Sequence, residues 1–395
     1  MIRMSSPNEF AQEKGRPVKG EGWRLSEEEY ERLQDPRSVG LDVRSEGWRV
    51  GEEEWREWLG TLLRSGSRLV APVEEDGLSL FRAVSSAAEV SLRGYGNTRW
   101  SPKEFLFPAT EALFSYRLLG DEVELGAPPA DGGEQVLFGL RPCDAAGLAR
   151  LDEIFLEDGE DPSYAARRDR TAIVSLACDT ARPECFCTAV GGSPAGTEGS
   201  DLQLLPLDGA WLLRALTPKG AQLVPASAAG WTPASAADWR RAEELRLAVE
   251  ESIERDPLSP EWAPVLEGAF AQPLWEELGQ RCVGCGVCAY VCPSCSCFDV
   301  KDEGDAFCGA RCRLWDSCTL PQFTRHASGH DPRPTRPSRY RQRVLHKFAY
   351  FPLQHGGRLM CVGCGRCVRL CPVGIDIRES VERAFSAGAS GEGRP

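Results

Sequence analysis

The sequence predicts an α+β protein in which a mixed α/β domain is followed by a helical, cysteine-rich one. Three observations carry this expectation. EQVLFGLRPCDAAGLARLDEIF followed by TAIVSLAC reads as strand, tight turn, helix and strand, one α/β unit. Late in the chain LPQFTRHASG, RYRQRVLHKFAYF and GIDIRESVERAF carry helical patterns. Around these segments lie 13 of the 17 cysteines, all beyond residue 281.

In chain order, residues 1–45 are polar, punctuated by Pro and Gly, and read as a loosely held extension. EGWRLSEEEY at 21–30 recurs as EGWRVGEEEW at 46–55 with three differences. Both copies have helical propensity and an acidic first turn, so the repeat reads as a duplicated helix start, with a docking helix pair as the functional alternative. An amphipathic helix runs from Trp55 to Leu63 and ends at Gly66. RLVAPVEEDGLSLFRAV then gives two strands around Asp76-Gly77. TRWSPKEFLFPATEALFSY reads as a loop entering a helix, followed by the α/β unit, whose helix and second strand are joined by an Arg-rich turn. DLQLLPLDGAWLLRALTPKGAQLV alternates as short strands with turns at Asp208-Gly209 and Lys219-Gly220, and DWRRAEELRLAVEESIER is a helix by its charge pairs. The boundary falls near 255–270, giving an α/β domain at 46–260 and a helical domain at 261–395.

The C-terminal domain holds one cysteine pattern twice. Cys282, Cys285, Cys288, Cys292 and Pro293 repeat as Cys361, Cys364, Cys367, Cys371 and Pro372, both C-x2-C-x2-C-x3-C-P. That is the bacterial ferredoxin arrangement for cubane clusters. Two-residue gaps let three thiolates curl around one cube face. Gly284, Gly286, Gly363 and Gly365 let the backbone approach the sulfurs. The fourth cysteine serves the other cube. The expected sets are Cys282, Cys285, Cys288 and Cys371 for one [4Fe–4S] cluster, and Cys361, Cys364, Cys367 and Cys292 for the other. Zinc ribbons lack the third regular cysteine and the Cys-Pro end, and disulfides need an oxidising compartment. The helical segments around the motifs favour a helical-ferredoxin-type dicluster domain.

Before residue 282 the cysteines are Cys143, Cys178, Cys185 and Cys187. Cys143 and Cys178 end predicted strands, where open α/β sheets place ligands, and the C-x-C pair lies in the next loop. The four make a candidate third cluster site; a zinc site and buried or redox-active thiols stay open as alternatives. Neither G-x-G-x-x-G after a strand nor G-x-x-x-x-G-K-[ST] occurs, so no organic cofactor is expected. GGSPAGTEG at 191–199 reads as a turn beside the C-x-C loop.

The 68 residues between Cys292 and Cys361 form a basic insert, 293–360, with Cys295, Cys297, Cys308, Cys312, Cys318 and all four histidines. Its five extra cysteines have no regular ligand spacing, and most of them read as structural thiols lining the clusters. Its arginines read either as a solvated face or as cations beside anionic cubanes. A net charge of −13 argues against nucleic acid. No stretch is long and apolar enough to span a bilayer, and a cytoplasmic chain is expected.

GLRPCDAAGLARLDEIF, DPSYAARRDRTAIVSLAC, the CFC of 185–187, CVGCGVCAYVCPSCSCFDV, RLWDSC, RYRQRVLHKF and CVGCGRCVRLCPVGIDI occur in this order. Together they resemble the iron–sulfur beta subunit of cytoplasmic sulfhydrogenase-type NiFe hydrogenases, and the related iron–sulfur subunit of anaerobic sulfite reductase, over roughly residues 65–385. The resemblance implies an electron-transfer subunit between a flavin- and NAD(P)-binding reductase subunit and the catalytic subunits of a hydrogenase or sulfite reductase. The N-terminal cysteines would be its third cluster site. A structural iron–sulfur scaffold and direct sulfur reduction by the N-terminal thiols are the competing functions.

Overall fold

A computed structural model describes residues 47–127, 132–157, 159–225, 231–253 and 256–389. The extension 1–45 and the first EGWR copy lie outside them. The second copy starts not as a helix but as strand β1 (Gly47–Val50), followed by α1 (Glu52–Arg64). Trp48, Val50 and Trp55 face partners on the sheet, so tertiary pairing overrides the helical propensity of the repeat. β2 (Arg68–Glu75) and β3 (Leu78–Ala83) form the expected hairpin, its turn carried by Asp76 at φ 52° and Gly77 at φ 73°.

The helix expected after Pro102 is a strand. A short 3₁₀ turn, Pro102–Phe105, leads into β4 (Thr110–Leu119), which pairs with β5 (Glu122–Gly126). Then come β6 (Gln135–Leu140), α2 (Pro142–Leu156), α3 (Pro162–Asp169) in place of the expected Arg-rich turn, and β7 (Thr171–Leu176). β8 (Leu202–Leu207) and β9 (Ala210–Ala215) form a hairpin. Pro218–Leu223, expected around a strand turn, is a helical turn capped by Thr217. β10 (Thr232–Pro233) precedes α4 (Ala236–Ser252), which starts in a capping box of Ser235 and Asp238.

These strands make an eight-stranded mixed sheet in the order β10-β1-β9-β8-β7-β6-β2-β3, parallel from β2 through β6 and β7 to β8. The three strands β6, β7 and β8 are buried on both faces and alternate between two cores. Phe138, Val174 and Leu204 meet Trp55, Trp58 and Leu59 of α1, while Leu137 and Ile173 meet Leu148, Leu151 and Phe155 of α2.

The second half opens with a short helix, Ala263–Gly268, followed by α5 (Leu274–Arg281). The insert contributes a hairpin, β11 (Phe298–Gly304) and β12 (Cys308–Trp315), and β12 pairs with β4 in a second sheet, β11-β12-β4-β5. LPQFTRHASG forms turns rather than a helix. α6 (Arg336–Leu345) continues into a π-helical turn, His346–Tyr350, and α7 (Ile377–Ala389) closes the bundle. Tyr340, Val344 and Phe348 pack with Trp275, Leu278 and Val381, and Phe186 of the C-x-C loop joins that same core. Together the second sheet and Phe186 tie the two halves into one packed unit.

Candidate metal centres

Each C-x2-C-x2-C motif folds alike because its glycines permit it. Gly284 and Gly286 take φ of 71° and 77°, and Gly363 and Gly365 take 65° and 72°. Each second glycine starts a one-turn helix, Val287–Tyr290 or Arg366–Arg369. Backbone N–H groups point at sulfur: Gly284 donates to Cys282 Sγ at 3.4 Å and Ile375 to Cys371 Sγ at 3.3 Å.

Three cavities are lined by cysteines. The first has Cys282, Cys285, Cys288 and Cys371 in its wall, with Cys367, Tyr340 and Arg343. The second has Cys292, Cys361, Cys364 and Cys367, closed by Phe186, Arg343 and Lys347. The third has Cys143, Cys178, Cys185 and Cys187, with Asn97, Arg141 and Cys364. Cys367 and Arg343 therefore belong to the first two cavities and Cys364 to the last two. The cavities stand in a row with the second in the middle.

Local geometry brings the third set together. Cys143 lies in the first turn of α2, just past β6, and Cys178 lies just past the neighbouring parallel strand β7. The Cys178 N–H donates to Pro194 O at 2.8 Å, inside the glycine-rich turn, and the C-x-C loop folds back beside it. That loop meets the second motif backbone to backbone. Phe186 N–H donates to Gly363 O at 2.9 Å, and a Cβ on Gly363 would stand 2.4 Å from the Cys187 Cα. Asn97 Nδ2 donates to Cys364 O at 2.7 Å. Buried Asp144, next to Cys143, takes a two-pronged ion pair from buried Arg366 at 2.5 and 2.9 Å.

Burial governs the thiols. It pushes Cys178 up to about 11, helped by neighbouring thiolate and carboxylate charge, and raises Cys143, Cys185 and Cys187 as well. Cys364 is pushed up to about 12 for the same first reason. Such thiols give up protons when a thiophilic group binds, which couples loading to pH.

Three buried cations stand among the sulfurs. Lys103 donates to the carbonyls of Ala289 and Cys295 at 3.0 and 2.9 Å, with the Trp315 ring 4.3 Å away. Arg343 donates to Cys295 Sγ at 2.8 Å and to Cys288 O at 2.7 Å, and Lys347 donates to Ser294 Oγ at 3.0 Å. Each is at most 3% exposed, and none has a carboxylate partner among the described residues. Burial lowers the ammonium of Lys347, but the thiolates of Cys292 and Cys295 outweigh it and hold the group above its ordinary value. Uncompensated buried charge is costly, so this surround suits an anionic occupant; four thiolates around an iron–sulfur core are one.

Of the basic insert, Arg343 and Lys347 thus face the sites, whereas Arg341 is half-buried and donates to Phe270 O. Lys103 is not legible in sequence, because a loop entering a helix would leave it at the surface. None of Cys295, Cys297, Cys308, Cys312 and Cys318 lines the three cavities, contrary to the expectation of cluster-lining thiols. Cys308 and Cys312 are carried off on β12 and Cys297 and Cys318 sit at the base of its hairpin, whereas Cys295 packs directly behind Cys292.

Residues 281–375 match the family model of the 4Fe-4S dicluster domain. Sulfhydrogenase 2 subunit beta of Pyrococcus furiosus is 34% identical over 328 residues, which span 80% of this chain and 91% of that protein. Among the described residues no helix is long and apolar enough to cross a membrane. With that identity and coverage joined to the dicluster motifs, the chain belongs to the iron–sulfur beta-subunit family of the sulfhydrogenases.

Proposed function

We propose that the chain is a non-catalytic, cytoplasmic electron-transfer subunit between a flavin- and NAD(P)-binding reductase subunit and the catalytic subunits of a hydrogenase or sulfite reductase. In this reading Cys282, Cys285, Cys288 and Cys371 hold one [4Fe–4S] cluster, and Cys361, Cys364, Cys367 and Cys292 a second. Cys143, Cys178, Cys185 and Cys187 hold a third, on the side of the flavin partner. Residues 46–260 form the domain of the third site and 261–395 that of the other two. Bound there, such clusters supply one-electron redox chemistry.

The observation that carries the reading is the shared walls: Cys367 between the first and second cavities, Cys364 between the second and third. The protein's own residues do three things. The cysteines fix sites in a row. Phe186 and Ile377 keep water from the middle site, and Arg343 and Lys347 offset its negative charge. At the first site Cys285 and Val283 are exposed, so that end of the row meets solvent or a partner. A scaffold that used metal only as a staple would need neither a row nor an open end.

Iron analysis of anaerobically purified protein tests the reading, with about twelve irons per chain expected for three cubanes and about eight for two. Cys185→Ser should remove about four irons and block reduction by the flavin partner while two ferredoxin-type signals survive. Loss of all signals together would end the relay order. Cys292→Ala should perturb the cluster of Cys361, Cys364 and Cys367 and spare the other; the reverse pattern would overturn the crossed ligation.

A further inference from the structure

Two of the cysteines outside the cavities form a pair of their own. Cys297 is the last residue before β11, and Cys318 lies three residues beyond the end of β12. The hairpin brings them together. Phe298 stands opposite Trp315 in the ladder, and Asp316 N–H donates to Cys297 O at 2.9 Å. At that base the Cys318 thiol and its backbone N–H face the Cys297 sulfur. In that register Asp316 stands opposite Cys297 and Cys318 follows two residues on, so the two side chains meet diagonally across the base of the hairpin.

The surroundings separate this pair from a metal site. Among the described residues no third cysteine, histidine or carboxylate lies close enough to both sulfurs to complete a site for a single ion. The two thiols also differ. Cys297 is partly exposed and Cys318 is buried. The Cys318 thiol, against the effect of burial and aided by its own N–H, Arg343 and Lys103, holds Cys297 down to about 6. An accessible thiolate backed by a buried thiol is the arrangement of an attacking and a resolving cysteine.

We propose that Cys297 and Cys318 are a reversible dithiol–disulfide site, oxidised by low-molecular-weight disulfides. The Cys297 thiolate attacks one sulfur of the small disulfide, forming a mixed disulfide and releasing one thiolate. Cys318 then loses its proton, and its sulfur attacks that of Cys297. The intramolecular bond forms as the second small thiolate leaves. In sum two cysteine thiols and one small disulfide give one protein disulfide and two small thiols, with two electrons passing to the small molecule. The new bond clamps the base of the hairpin that joins β4 and β5 to the cluster domain.

The test uses the full chain, purified anaerobically with its iron, incubated with oxidised glutathione, quenched in acid, alkylated in denaturant and digested for mass spectrometry. A peptide linking Cys297 to Cys318, lost on treatment with dithiothreitol and formed without loss of iron, is the expected result. In Cys318→Ser, Cys297 should retain glutathione. Full alkylation of both cysteines in the wild type, while exposed Cys308 accepts glutathione, would overturn the proposal. Loss of iron from Cys318→Ser would do the same, since it would make the pair cluster ligands. A linked peptide in a chain holding fewer irons than two cubanes need would still support this site, and only the cluster assignment would fail.

Discussion

Removing the charge of Lys347 should lower the reduction potential of the middle centre. Lys347 is 2% exposed and lines the cavity of Cys292, Cys361, Cys364 and Cys367, and among the described residues its ammonium has only Ser294 Oγ as a hydrogen-bond partner. Adding an electron to a group roughly 6 Å from a unit positive charge, at an effective dielectric of about 20, gains about 2.8 kcal/mol. At about 1.4 kcal/mol and 59 mV per tenfold for one electron, that is roughly 120 mV as an upper figure. Spreading of the electron over the cluster reduces it, so Lys347→Met should lower one midpoint by roughly 60–120 mV. Lys347→Arg should keep most of the wild-type value, and Ser294→Ala should shift it much less than Lys347→Met. The assay is an EPR-monitored redox titration of anaerobic protein, with iron per chain measured alongside. Unchanged midpoints in Lys347→Met at full iron content would refute the charge-compensation argument.

Other perturbations probe the seam between the halves. Asp144→Ala leaves Arg366 charged and buried without its partner, a loss of about 3–5 kcal/mol, read as a marked fall in the denaturation midpoint; a change under about 1 kcal/mol would contradict the buried pair. Gly363→Ala and Gly284→Ala both impose a positive φ on a side chain, but only the first meets backbone closely, Cys187 Cα at 2.4 Å against Thr319 O at 3.4 Å. Gly363→Ala should therefore cost the third site about four irons, and Gly284→Ala should leave that site loaded. In chelator-stripped protein the raised Cys178 thiol binds its proton more tightly folded than unfolded. Its contribution to stability is full below pH 9 and is lost as pH rises toward about 11, so the iron-free melting midpoint should fall across that window. A flat profile there would contradict the burial of Cys178.

Parts of the fold are legible where the signal is local. The strand, turn and helix around Cys143 follow from an apolar run, an Arg-Pro turn and a helix-patterned segment that meet no competing demand. The hairpin at Asp76-Gly77 follows from a turn that needs left-handed backbone. β4 reads as a helix in sequence because its partner β12 lies nearly two hundred residues away, and nothing near Thr110 announces that pairing. β1 is hidden for the same reason: its partners on either side are β9 and β10.

The chemistry of the motifs is written in the primary sequence alone, because three thiolates at two-residue gaps with glycines between them can wrap a cube face whatever the rest of the chain does. So is the place of Cys143 and Cys178 at strand ends, since each follows directly on an apolar run. Folding in three dimensions settles which cysteines share a cavity, that Cys364 and Cys367 stand between neighbouring cavities, and that Lys103, Arg343 and Lys347 turn inward among the sulfurs. It also sets Cys297 against Cys318. The difference is one of range. Ligand spacing occupies a dozen consecutive residues, whereas the row of sites and its charge balance arise from contacts between residues some two hundred positions apart, such as Asp144 with Arg366 and Lys103 with Cys295.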